Sequence, residues 1–244
     1  VWNDTPGGVQ VFILAGQSNM VGHGNSEKGH DEQPGGIGSL RYLVKTDPKT
    51  FGRLVDPSGN WIVRDDVKVW WRDSDIAAPR SVIKGNLRIG YAQSRNPEWI
   101  GKGYHIAGVG WHQGWNDRVD KTASDHYEAN LADFITDLRA EFSQPKLAFS
   151  ITTTGMAPTP EYTKVEVAQL AVGDPTKHPE FAGTVRTTDT RPFWRPAEVS
   201  PSGMGYHWNH NGESQFLNGT AMGRAMVDML SQPQKPQPAG RRSR

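Results

Sequence analysis

Four short strand-like runs punctuate the chain: Val9–Ala15, Ile106–Val109, Leu147–Thr153 and Thr184–Thr187. Each is rich in β-branched or aromatic residues and too short for a buried helix, so each predicts a strand. Between them the pattern changes period. From Thr122 to Phe142, Tyr127, Leu131, Phe134, Ile135, Leu138 and Phe142 recur at spacings of three and four, which predicts a long helix with one apolar stripe. Pro160–Val172 is a shorter helical candidate, and Glu213–Leu230 predicts a closing helix. Strands alternating with helices predict an α/β fold, a mainly parallel sheet with helices on both faces. In such sheets the functional site lies beyond the carboxyl ends of the strands.

Residues 24–99 depart from that alternation. Pro34-Gly35-Gly36, Asp47-Pro48 and Asp56-Pro57-Ser58-Gly59-Asn60 are turn signals. Leu54–Val55 and Trp61–Val63 flank the last of them as a candidate hairpin, and Val67–Trp71 follows as a further strand. The segment reads as a loop-and-hairpin excursion within one domain, residues 1–232. The Pro/Gln/Arg-rich residues 233–244 read as a disordered tail.

The first run stops at Gly16, and Ser18 follows where a helix can begin. That placement suits a nucleophile and a helix cap equally. Two distant blocks change the balance: Gly110-Trp111-His112-Gln113-Gly114-Trp115-Asn116-Asp117 after the second run, and Gly205-Tyr206-His207-Trp208-Asn209-His210 before the last helix. With Gly16-Gln17-Ser18-Asn19-Met20, and in this order, they resemble the SGNH-type esterases. The resemblance is closer to carbohydrate esterase family 6 and the sialate O-acetylesterase domain, and runs from about Val9 to Leu230.

The resemblance implies a three-layer α/β/α sandwich and a serine esterase working through an acyl-enzyme. It implies Ser18 as nucleophile, His207 as base with His210 as runner-up, and Ser18 N–H and Gln113 as oxyanion donors. Gln17 and Asn19 flank the serine, either contributing directly or bonding locally within the turn. Two departures stand out. The position three residues before His207, where these enzymes commonly carry aspartate, is Met204. Many relatives carry glutamate where this chain has Trp115. Asp117 is the candidate orienting acid, with Glu213 or a backbone carbonyl as alternatives. The second departure is a missing glycine pair. Between Gly85 and Ile106, neither Gly85, Gly90, Gly101 nor Gly103 has the strand context of the family's second oxyanion block.

Composition refines this reading. Lys+Arg 27 against Asp+Glu 26 gives a formal charge of +1, which suggests neither a nucleic-acid nor a membrane partner. The absence of cysteine excludes thiolate chemistry and disulfides. His207 and His210 alone fall short of a zinc ligand set, so neither metal nor cofactor is expected. Of nine tryptophans, Trp111, Trp115 and Trp208 flank the blocks and are candidates for stacking on a sugar. The first residue is Val1 rather than Met, consistent with an exported protein whose signal peptide has been removed. The expected activity is removal of acetyl groups from a carbohydrate. The rivals are a relative that binds glycans without cleaving them, and a hydrolase of lipid or aryl esters.

Overall fold

A computed structural model describes residues 9–72, 82–88 and 104–232. The strand-like runs form the central sheet: β1 (Val9–Gly16), β4 (Tyr104–His112), β5 (Ala148–Thr152) and β6 (Val185–Thr188) lie side by side in that order, and every pair is parallel. One irregularity marks the β1–β4 pairing, where Ala107 is passed over between Val11↔Ile106 and Phe12↔Gly108.

Strand alternation sends successive side chains to opposite faces. Val109, Phe149 and Ile151, all fully buried, face one side. There they pack with Tyr127, Leu131 and Ile135 of α5 (Lys121–Glu141) and with Val165 and Val172 of α6 (Lys164–Val172). On the other side, Gly108, Gly110, Ala148 and Ser150 receive α7 (Gly212–Ser231). A Cβ on Gly108 would lie 2.4 Å from the sulfur of Met226, so glycine there is what lets the methionines of α7 settle on the sheet. Ser150 ties the layers by donating its hydroxyl to the Met222 carbonyl at 2.9 Å. The arrangement is α/β/α, as the alternating pattern predicted.

The helices start where their caps dictate. Asp120 accepts from Ala123 N–H at the head of α5. Thr163 and Glu166 form a reciprocal capping box on α6. Asn211 accepts from Ser214 N–H on α7 at 3.1 Å.

α7 covers β4–β6 but not β1. Phe12 and Leu14 therefore remain 47% and 65% exposed and line a groove of about 540 Å³ together with Met20 and Met222. Among the described residues β1 is one of the two edges of the four-stranded sheet.

Residues 24–72 hold more regular structure than their turn signals suggested. Two short helices, α2 (Leu40–Thr46) and α3 (Pro48–Phe51), precede the hairpin. The hairpin forms as expected: Val55 bridges Trp61, and the Asp56 side chain accepts the N–H groups of Ser58 and Asn60 at 2.9 Å. Val67–Trp71 lies inside β2 (Val63–Arg72), which pairs antiparallel with β3 (Val82–Arg88) in a separate two-stranded sheet. Gly85 belongs to β3, while Gly90, Gly101, Gly103 and the 233–244 tail lie outside the described residues. No helix among the described residues is long and apolar enough to cross a membrane.

Candidate active site

The carboxyl end of β1 presses against β4. A Cβ on Gly16 would sit 2.1 Å from the His112 carbonyl oxygen, the same oxygen that accepts from Gln17 N–H at 3.2 Å. Only glycine permits that approach. The chain then turns into the single-turn helix α1 (Ser18–Val21), leaving the Ser18 side chain exposed and its N–H among the unpaired donors of a helix start.

His207 arrives from the opposite direction, on a 3-10 segment, Gly205–His210. Its Nε2 lies 3.0 Å from Ser18 Oγ. The three residues after it, Trp208, Asn209 and His210, all have positive φ, between 53° and 56°. A non-glycine residue in this region is strained, by about 1–3 kcal/mol each, so the segment must be held from outside. Trp208, fully buried, donates its indole N–H to His112 Nε2 at 3.4 Å. The Asn209 amide donates to the Arg195 carbonyl at 3.0 Å, and Asn25 N–H to the His210 carbonyl at 3.0 Å. Asn19 joins the Ser18 and His207 segments directly. Its amide donates to the Tyr206 carbonyl at 2.8 Å and its oxygen accepts from Gln215 at 3.2 Å. Both flanking residues thus act over long range, since Gln17 Oε1 accepts from Gly114 N–H at 3.3 Å.

The mid-chain block is a scaffold built on buried His112 and Gly114. Indole N–H only donates, so His112 Nε2 carries the lone pair and Nδ1 the proton, directed at Thr152 Oγ1 (2.9 Å) and Thr152 O (3.3 Å). Complete burial holds this imidazole neutral, its pKa lowered to about 4. Gln113 is clamped at both ends. Its amide donates to Asp117, its side-chain carbonyl accepts from the Tyr127 hydroxyl at 2.8 Å, and its backbone carbonyl accepts from Gln169 at 2.6 Å. Gly114 turns the chain at φ 130°.

Several expected roles are corrected here. Asp117 lies on α4 (Trp115–Val119) and bonds Gln113, not His207. Glu213 is held by Arg195 through two bonds of 2.9 and 2.8 Å. Neither acid bonds His207, and His207 Nδ1 is buried with no hydrogen-bond partner among the described residues. Burial first, then the neighbouring His23 and His210, lower the His207 pKa to about 4. His210 sends Nδ1 to Ser202 Oγ at 3.2 Å rather than to the serine. Trp208 is too deep to meet a sugar, and Trp111 packs on the α5 core with its N–H on Tyr127 at 3.3 Å. Trp115 stays partly open, its ring 4.5 Å from the Arg118 guanidinium and 6.1 Å from Tyr206. Tyr206, 43% exposed, stands 4.5 Å from the His207 ring. The sequence pattern flagged neither Tyr206 nor His23, whose ring stacks on His207 at 3.7 Å.

Residues 91–192 match the family model of carbohydrate esterases described as sialic acid-specific acetylesterases. Over that stretch the chain is similar to the sialate O-acetylesterases. The esterase match contains the His112–Asp117 block, α5, β5, α6 and β6, while Ser18 and His207 lie on either side of it. A solved structure of a protein from Arabidopsis thaliana is similar at 19% identity, over 48% of this chain and 45% of that one, with a TM-score of 0.32. The aligned part thus spans under half of that protein's length. Among curated proteins, nothing matches.

Proposed function

We propose that this chain is a serine esterase that removes acetyl groups from a carbohydrate. The observation that carries the reading is the 3.0 Å contact between Ser18 Oγ and His207 Nε2, within reach for general-base activation of a hydroxyl. The esterase family match over the intervening residues supports the same chemistry.

In this mechanism neutral His207 takes the Ser18 proton as Oγ attacks the ester carbonyl. The oxyanion is held by Ser18 N–H and by the Gln113 amide hydrogen not bonded to Asp117. The intermediate collapses, His207 protonates the departing sugar oxygen, and acetyl remains on Ser18. Water, deprotonated by His207, then attacks the acyl-enzyme and acetate leaves. The low His207 pKa keeps the base form available across neutral pH. Trp115 and Tyr206 supply aromatic faces beside the dyad for the sugar. Asp117 and Tyr127 are positioning residues acting through Gln113.

A second reading, a relative that binds glycans without cleaving them, draws on the unpartnered Nδ1 of His207. Acetate release from an acetylated xylan oligosaccharide and from an aryl acetate, compared with Ser18→Ala, separates the two. Serine-dependent release on both supports the esterase. Glycan binding with no release on either ester moves the assignment to the binding relative.

A further inference from the structure

His207 and His210 alone make too few ligands for a metal. The fold adds a third. Gly22 turns the chain at φ 101° directly after α1, and the next residue, His23, lies flat against His207, the rings 3.7 Å apart and 7° from parallel. The His210 ring lies 5.8 Å from His23 and 5.6 Å from His207. One ring nitrogen from each of the three falls within 4.8 Å of the other two. Tetrahedral ligands on a zinc ion at about 2.0–2.1 Å stand about 3.4 Å apart. Imidazole lone pairs lie in the ring plane, so closure moves the nitrogens by about 1 Å and turns the stacked His23 and His207 rings out of parallel. All three rings are partly open to solvent, leaving a path for an ion and a fourth position for water.

Two features favour a cation there. Among the described residues, three imidazoles converge with no carboxylate hydrogen-bonded to His207, and His207 Nδ1 is a buried polar atom without a hydrogen-bond partner. Imidazole nitrogen suits zinc, copper and nickel.

We propose that His23, His207 and His210 form a binding site for a transition-metal dication such as Zn²⁺, and that the occupied site switches the esterase off. Neutral imidazole has one lone pair. A metal on either nitrogen of His207 takes that pair, and no base remains for the Ser18 proton. Release of the ion restores it. The inhibition half rests on the esterase reading; the binding half does not.

The test titrates Zn²⁺, and Co²⁺ as a spectroscopic probe, into EDTA-treated protein and into His23→Ala and His210→Ala, each checked for fold by circular dichroism. The proposal expects one equivalent bound by the parent protein, a tetrahedral Co²⁺ visible spectrum, and at least about tenfold weaker binding in each variant, the scale on which even outer contacts change metal affinity. Aryl acetate turnover should fall with the same midpoint as binding. Zinc should inhibit His23→Ala less, relative to that variant's own zinc-free rate. Absence of stoichiometric binding, or binding unchanged in both variants, overturns the site. Zinc that binds the trio yet leaves or raises turnover overturns the switch. A protein without turnover before metal is added counts against the esterase reading, and the Co²⁺ titration still decides the site.

Discussion

The indole N–H of Trp208 meets Nε2 of His112 at 3.4 Å, and this buried bond fastens the loop bearing His207 to the strand next to β1 and Ser18. It sits at the foot of three consecutive left-handed residues, where strain would otherwise let His207 drift. Trp208→Phe removes the donor while keeping most of the ring, leaving His112 Nε2 buried and unpaired. The expected loss is about 1–3 kcal/mol of stability and about tenfold in kcat, with KM little changed. Chemical denaturation and steady-state kinetics measure both.

Gln113→Ala should lower kcat about 10²–10³-fold, the usual effect of losing one oxyanion donor. Asp117→Asn keeps the size of the anchor but removes its charge, so the loss should be smaller, about tenfold. If Asp117 instead oriented His207, its substitution would also shift the acid limb of the pH profile. The limb should stay in place.

Rate should depend on pH through His207. The base is neutral above its pKa of about 4, so kcat/KM measured with EDTA should rise through pH 4–5 and be flat by pH 6. A limb centred near the ordinary histidine value of about 6.5 would contradict the environment described for this side chain.

Stability should fall in acid because of His112. Unfolded, this histidine takes up a proton below about pH 6.5, whereas the folded state refuses it until about pH 4. Between those limits the unfolded chain binds more protons, so stability decreases as pH falls. The full effect is roughly 3 kcal/mol by the shift alone. His112→Gln should flatten that part of the urea-denaturation profile against pH, whatever its effect at pH 7.

Trp115 and Tyr206 should separate sugar recognition from chemistry. Replacing either with alanine should raise KM for an acetylated oligosaccharide about fivefold to tenfold, the scale of lost ring contacts of about 1 kcal/mol each. An aryl acetate should be turned over nearly as before. Equal damage on both substrates would give these rings a structural role instead.

Where hydrophobic period carried the information, sequence and structure agree. β1, β4, β5, β6, α5 and α7 lie within a few residues of the runs that predict them, because a two-faced parallel sheet leaves apolar strands and striped helices little choice. α2 and α3 were hidden because their signals are also turn signals. Ser39 and Asp47 cap them, accepting from Tyr42 N–H at 3.1 Å and Thr50 N–H at 3.2 Å, and the same residue types mark loops. Motif order pointed to Ser18 and His207, which the fold brings together across 189 positions. Asp117 was harder to read, because a carboxylate four residues after Gln113 can bond its own loop or reach across the site. It bonds its own loop. His23 carries no pattern at all; its place beside His207 arises from one glycine turn and a strained loop elsewhere.

In the proposed mechanism Ser18 and His207 work as nucleophile and base on an acetyl ester. Acetate release from an acetylated xylan oligosaccharide tests it most directly, comparing the parent chain with Ser18→Ala, His207→Ala and His210→Ala, all verified as folded. Release is expected from the parent and from His210→Ala, and none from the other two. Undiminished release by Ser18→Ala or His207→Ala, or none from the folded parent, would contradict it.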